Sequence, residues 1–503
     1  MTVSLVEDHK LEVLSKLKDY LDAHKSKFKE IKKKSNHGDL IYKLISILSK
    51  NPFANYSEIS EKLNISYDEL KDLNSIIRDV DFFQKLIINN GTGTKYWKNM
   101  IIPLINSRSI SNFLEKKYSF PFRVGLYPGI SCMYECTFCG RNYNAKYKRN
   151  ALDVGIETYK KLIDEAPNDD KNRFYISGGL EPLTNPKLGE IISHLKKKNF
   201  NSSMYTNGYM LTKKFLNKNP EIFDLDSLRI SFYGIDSEQY FKVTKKIKSF
   251  EIVTKNIEDY LNLKFNYNSK TMFGLNFVIL TGREKDVIKL TKLMENINKK
   301  LNLKKTNNFD FLTLREDFSI FGERMNINQR ETLSESIKEI ENLISTSKYL
   351  SNLFVDYGFA LEPLKNGILS EKFENIFVNT KDLEDFGVPQ ASVSVDLYGD
   401  VYLYREAAFL DRPGAKRYIL GNLIKDGSME NVIKNFINKK KEINVLETDR
   451  DYLDTWDHIT IKLSQQIKKN NELGFSIAES AINMEKINNI LNYKHQVHFA
   501  GKS

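Results

Sequence analysis

Apolar residues recur every three to four positions over residues 11–20, 40–48 and 76–88, the spacing that lines one face of a helix. Residues 1–118 are therefore expected to form a helical accessory domain. From residue 122 the pattern changes to short β-branched and aromatic runs at 122–126, 174–177, 203–206, 227–232, 272–280 and 309–314. Amphipathic stretches at 154–165, 187–198, 238–246, 285–298 and 330–345 separate them. This rhythm builds a parallel sheet, because a helical crossover returns the chain to the end at which each strand starts. Six such units predict an α/β fold, a partial (β/α)6 TIM-like barrel over 119–348. A small β-containing extension follows at 349–425 and a C-terminal helical region at 426–503. Within the extension, Asp396-Leu-Tyr-Gly-Asp-Val401 predicts a hairpin turning at Gly399-Asp400.

Composition narrows the function classes. A chain of 503 residues exceeds one ordinary core and suits a catalytic domain with helical additions. No apolar run approaches the ~18 residues of a membrane span, and the opening MTVSLVEDHK lacks the form of a secretory signal, so a reducing cytoplasmic location is expected. The net charge of +11 admits a polyanionic ligand, yet the lysines are scattered among Asn and Glu on helical faces. Residues 56–73 read as a helix-turn-helix with the turn at Asn64. Its second helix carries Asp68, Glu69 and Asp72, an acidic face to set against phosphate, which argues against nucleic acid.

All three cysteines fall in one stretch, Cys132-Met-Tyr-Glu-Cys136-Thr-Phe-Cys139. A disulfide framework spreads its cysteines along the chain, whereas three thiolates on one loop can converge on a single inorganic centre. A structural zinc site wants four protein ligands, and none of the seven histidines lies near this loop. A four-iron cluster suits the set better, because three thiolates leave one iron open for chemistry. Free cysteines in a loop and a degenerate zinc knuckle are the plainer alternatives.

The spacing Cys-x3-Cys-x2-Cys, with Phe138 before the last cysteine, resembles the radical S-adenosylmethionine superfamily. The resemblance covers about residues 120–320. It implies one [4Fe-4S] cluster on Cys132, Cys136 and Cys139, with S-adenosyl-L-methionine on the open iron as the source of a 5′-deoxyadenosyl radical. It also implies cofactor contacts from Phe138, from Gly178 and Gly179 of Ser177-Gly-Gly-Leu-Glu-Pro182, from Asn207 of Tyr205-Thr-Asn-Gly208, from Ser231, and from Val278 and Leu280. A leucine interrupts the family's Gly-Gly-Glu-Pro pattern, so no role is carried to Glu181. The strand-end segment Leu314-Arg315-Glu316-Asp317 and the basic segment 404–418, with Arg405, Arg412, Lys416 and Arg417, are candidate substrate contacts, the latter for a diphosphate. Glu316, Asp317 and Glu406 are candidate bases.

No cysteine remains for an auxiliary cluster, which favours redox-neutral elimination. The whole is similar to the sugar-modifying branch, a lyase acting on a sugar or nucleotide sugar in deoxysugar biosynthesis, with a flavodoxin or ferredoxin-type reductant. Radical modification of a peptide or RNA is the alternative within enzymes, and an iron-sulfur sensor binding DNA is the alternative outside them.

Overall fold

The computed structural model describes residues 56–79, 107–141, 144–301, 308–317, 325–357 and 387–438, with scattered positions at 40–47, 103–104, 361–369 and 452–468. The helix expected at 11–20 lies outside the described residues. The chain divides into two units, residues 1–106 with 463–494, and 107–462 with 495–503. Among the described residues no helix is long and apolar enough to cross a membrane.

In the first unit, α1 (Tyr56–Leu63) and α2 (Tyr67–Asp79) form the expected helix pair. Asn64 takes the left-handed conformation (φ 51°) that reverses the chain between them, and Ile59, Leu70 and Leu73 are buried.

The second unit opens with a short helix, α3 (Ser109–Leu114), and then builds one ten-stranded sheet in the order β10-β9-β8-β1-β2-β3-β4-β5-β6-β7. Its central strands are β1 (Arg123–Tyr127), β2 (Phe174–Ile176), β3 (Ser203–Thr206), β4 (Ser227–Phe232), β5 (Met272–Ile279) and β6 (Phe311–Glu316), each within a few residues of its predicted span and parallel to its neighbours. The connecting helices are α4 (Ala151–Glu165), α5 (Leu188–Lys197), α6 (Lys213–Lys218), α7 (Ser237–Thr244), α8 (Ser249–Asn266), α9 (Asp286–Leu301) and α10 (Ile327–Thr346). This is a mixed α/β fold of the partial TIM-like barrel kind.

One strand face feeds the core: Val124, Leu126, Ile176, Met204, Ile230, Leu275, Ile279, Leu312 and Leu314 pack with Ile156, Leu162, Ile191, Ile257 and Leu290 of the helices. Because side chains alternate across a strand, the intervening residues line the other, concave face. That face carries Tyr127, Tyr175, Tyr205, Arg229, Ser231, Asn276, Val278, Thr313 and Arg315. The barrel interior is thus polar and aromatic, as a reaction chamber requires.

Four features depart from expectation, the first a short helix, α6, between β3 and β4 where none was predicted. Two helices, not one, connect β4 to β5. Lys245 (φ 58°) and Lys248 (φ 56°) turn the chain between α7 and α8. A seventh parallel strand, β7 (Phe354–Asp356), extends the sheet beyond β6. The expected hairpin forms from β8 (Ser392–Asp396) and β9 (Asp400–Tyr402), but it is no separate layer. β8 runs parallel beside β1, with Arg123 opposite Ser392 and Tyr127 opposite Asp396, and β10 (Ile419–Asn422) closes the edge. Beyond it the described helices are α11 (Leu423–Asp426) and α12 (Met429–Asn438), and much of the expected region to 503 lies outside the described residues.

Candidate active site

The connection from β1 to α4 carries the three cysteines at the C-terminal ends of the parallel strands, where barrel enzymes place their chemistry. The Cys139 N–H donates to the Cys136 carbonyl at 3.0 Å and closes a tight turn. Two anchors hold the loop. On one side the Glu181 N–H donates to the Ser131 carbonyl (2.9 Å), while the Thr184 hydroxyl oxygen accepts from the N–H groups of Ile130 (3.0 Å) and Ser131 (3.3 Å). On the other, the N–H groups of Glu135 and Thr137 donate to the carbonyls of Thr244 (3.0 Å) and Val243 (3.1 Å) at the end of α7.

Glu181 is the junction that sequence reasoning left without a role. Its buried carboxylate accepts from the N–H of Leu183 (3.1 Å), the N–H of Asn207 (2.8 Å) and the Thr206 hydroxyl. Burial pushes its pKa up, and those hydrogen bonds hold the charged form against it. The result joins the cysteine loop, the segment after β2 and the end of β3. Through it the Asn207 side-chain amide reaches 3.8 Å from Cys132 Sγ and 3.1 Å from Met133 Sδ. The intervening Leu180 is buried with Ala145 and Leu410, and Cys132 packs against that cluster. A leucine inserted into the motif therefore acts as packing for the loop.

The glycines earn their positions sterically. Gly178 has φ 155°, a conformation that side chains rarely adopt. A Cβ on Gly179 would collide with the Phe409 ring. Phe138 is half-buried, its ring 5.9 Å from Tyr233.

Strand register decides which predicted residues share the chamber. Ser231 stands opposite Asn276 and Val278 opposite Arg315, so these four lie on one continuous concave surface across β4, β5 and β6. Leu280, two residues past Val278, is half-buried just beyond β5. Asn276 and Arg229 were not singled out from the sequence, although their spacing of two from Val278 and Ser231 carries the signal. Arg229 is shelved over the rings of Tyr205 (4.9 Å) and Phe311 (5.0 Å) and donates to the Tyr205 hydroxyl at 3.1 Å. Arg315 donates to Asp356 of β7 at 3.1 Å. Asp317, partly exposed, ends that row at the mouth.

Glu316 is a correction. Its register with Ile279 turns it to the helix side, where its carboxylate lies 3.3 Å from the Arg330 guanidinium of α10, both side chains nearly inaccessible. It stands outside the chamber and is withdrawn as a base. The expected four-cation grip is divided as well. Arg405 lies over the Tyr175 ring at 5.0 Å, and Arg412 donates to the Glu406 carbonyl at 2.6 Å beside Phe409 and Tyr452. Lys416 and Arg417 are exposed on a short 3-10 turn. Arg412 also covers the cysteine loop, since a Cβ on Gly140 would lie 2.8 Å from its guanidinium carbon.

All three thiols are unbridged. Burial pushes Cys132 up to about 11, with the Glu181 charge adding to it. Burial likewise raises Cys136, whose thiol feels both other cysteines, and Cys139, which also feels Glu406. Among the described residues no three Cys, His, Asp or Glu side chains are gathered as a ready ligand set for a single metal ion. The donor chemistry still fits a four-iron cluster: three thiols on one anchored turn, each within reach of the others' charge. Binding must take off their protons.

The Radical SAM superfamily model matches residues 126–304. The chain is 31% identical to the dTDP-4-amino-4,6-dideoxy-D-glucose ammonia-lyase of Streptomyces venezuelae over 429 residues, 85% of this chain and 87% of that one. It is 32% identical to a probable GTP 3′,8-cyclase of Methanococcus maripaludis over 141 residues, 27% of this chain and 44% of that one. The solved structure of native anSMEcpe with bound AdoMet and Cp18Cys peptide aligns over 74% of this chain and 99% of its own, at 16% identity and a TM-score of 0.42. The chain belongs to the radical SAM superfamily, in the branch that holds the Streptomyces lyase, and it is an enzyme of the lyase type.

Proposed function

We propose that this enzyme removes a carbon-bound hydrogen from a sugar, carried as a nucleotide sugar, and that loss of a neighbouring amine or hydroxyl follows. The observation that carries the reading is the likeness to a sugar ammonia-lyase along nearly the whole of both chains. Cys132, Cys136 and Cys139 would hold the [4Fe-4S] cluster. Gly178, Gly179, Asn207, Ser231, Val278, Leu280 and Phe138 would hold S-adenosylmethionine. Together these groups supply, when bound, the radical chemistry that breaks a carbon–hydrogen bond.

The chain's own residues do the rest. Beside Ser231 and Val278 on the same concave surface, Asn276 and Arg315 orient the sugar. Arg405 and Arg229, each laid against an aromatic ring, offer planar donors to its phosphates. Removal of the proton from a hydroxyl on the attacked carbon assists departure of its neighbour. Glu406, whose segment packs against Cys139, is the first candidate base, and Asp317 at the mouth is the second. Residues 119–348 would form the catalytic unit, closed by 349–425. Three unbridged cysteines suit the reducing cytoplasm.

The test is anaerobic. Reconstituted, dithionite-reduced enzyme is given S-adenosylmethionine with a panel of dTDP-linked amino and neutral sugars, and 5′-deoxyadenosine is quantified by mass spectrometry. One nucleotide sugar should raise its formation about tenfold or more over background, and Cys136→Ala should abolish it. A fully assembled cluster that cleaves nothing with any sugar would overturn the assignment.

A further inference from the structure

The last turn of α7, with the loop that follows it, forms the neighbouring wall of the cysteine loop. Its Val243 and Thr244 carbonyls receive the N–H groups of Thr137 and Glu135, the residues that flank Cys136. Cys136 itself is buried, but Glu135 and Thr137 on either side of it are exposed. The other two cysteines are covered differently. Cys132 lies against Asn207, Leu180 and Leu410, and Cys139 packs with the segment that carries Tyr404, Phe409 and Tyr418. Glu135 and Thr137 thus connect the buried Cys136 on both sides to the surface beside α7.

The surface beside that edge is unusual. Ile247 in the loop is 67% exposed and Phe241 on the last turns of α7 is 44% exposed, two large apolar side chains close in sequence. Lysines 242, 245, 246 and 248 surround them. Lys242 pairs with Glu238 at 2.6 Å, and Glu251 holds a hydrogen bond from Ser237. No ion pair is recorded for Lys245, Lys246 or Lys248 among the described residues; Lys246 lies over the Tyr209 ring at 5.9 Å. Lys245 and Lys248 both hold the left-handed backbone that favours glycine. An apolar centre ringed by four lysines, of which one is in an ion pair and one lies over a tyrosine ring, is the anatomy of a transient interface for an acidic protein.

We propose that the turn 241–248 is the docking surface for a small acidic one-electron carrier protein, which delivers its electron through the Glu135–Thr137 edge of the cysteine loop. This rests on the reading of the three cysteines as cluster ligands. The chain has no cysteine for a second cluster to relay charge, so the electron must enter directly from outside. The carrier loses one electron and the cluster gains it; no proton or bond changes hands in that step. Electrostatic attraction to the lysines would set the encounter rate and make it fall with salt.

The test uses reconstituted holoenzyme and an acidic flavodoxin in its one-electron-donating hydroquinone form. Cluster reduction is followed by loss of visible absorbance, with no sugar present, so the result is independent of the substrate assignment. A Lys245→Glu, Lys248→Glu variant should be reduced by flavodoxin about tenfold more slowly at low salt, while dithionite reduces it at the wild-type rate. Carbodiimide should couple flavodoxin carboxylates to Lys245, Lys246 or Lys248 of the wild type. Unchanged flavodoxin-driven reduction in the variant, or cross-links that map elsewhere, would overturn the assignment. Should the variant fail to assemble its cluster, the wild-type cross-link map decides alone.

Discussion

Asp396 ends β8 inside the protein, directly opposite Tyr127. It accepts from the Tyr147 hydroxyl (3.1 Å) and from the N–H groups of Tyr398 (2.9 Å) and Asp400 (3.0 Å), with no cation among these partners. Burial, helped by the Asp400 charge, pushes its pKa up to about 7. The folded state therefore favours the protonated acid. That contribution to stability is present in full below the ordinary carboxyl range and is lost as pH rises through about 7. Asp396→Asn keeps the shape and an acceptor for both N–H groups but cannot ionise. Relative to this variant, the wild type should lose about 3 kcal/mol of stability between pH 5 and pH 8, two units of titration at 1.36 kcal/mol each. Urea midpoints of both proteins at the two pH values check it. An equal gap at both would show that Asp396 ionises like an exposed carboxylate. The position matters because Tyr147 belongs to the cysteine loop, so this carboxyl ties the hairpin to the site. Its chemistry was invisible in the sequence, where Asp396 is merely the residue before a turn.

The parallel strands were legible because each is a run of β-branched or aromatic residues bounded by turn formers, and the burial of one whole face fixes their register. The elements that escaped had weaker local signals. α8 is rich in Val, Ile, Thr, Phe, Tyr and Asn, poor intrinsic helix formers, and its N-terminus has no side-chain cap; packing of Val253, Ile257, Tyr260 and Leu261 against the sheet holds it. β7 spans three residues, too few for a pattern. Close strand approach is equally hidden. In β5, a Cβ on Gly274 would collide with the backbone oxygen and ring of Phe311, its partner in β6. Neither a carbonyl in a sheet ladder nor a buried ring can swing aside. Gly274→Ala should therefore cost about 3 kcal/mol, the upper range for overpacking, read as a lowered urea midpoint with unchanged slope. A cost under about 0.5 kcal/mol, as at an ordinary surface position, would mean that β5 and β6 can part.

At the scale of the whole catalytic unit, the cysteine spacing made the chemistry legible, but the closure of the site depends on contacts between distant parts of the chain. The segment after β9 packs on the segment after β2. Phe409 lies where a Gly179 side chain would be, and Arg412 lies where one on Gly140 would be. No local pattern announces such pairings, which is why 404–418 reads in the sequence only as a basic grip for a diphosphate. If Phe409 and Gly179 are fitted to one another, their substitutions must be coupled. Gly179→Ala alone drives a methyl into the ring and should destabilise by about 2 kcal/mol, while Phe409→Ala alone leaves a cavity costing about 3 kcal/mol. In the double variant the methyl enters space the ring has vacated. Its cost should fall below the sum by at least about 1 kcal/mol, the coupling expected of touching residues. S-adenosylmethionine affinity, measured by calorimetry on each of the four proteins, should follow the same order, because the displaced backbone is the Gly178–Gly179 segment proposed to hold that cofactor. Strict additivity in both measurements would mean that the C-terminal segment merely lies over the barrel without shaping the site.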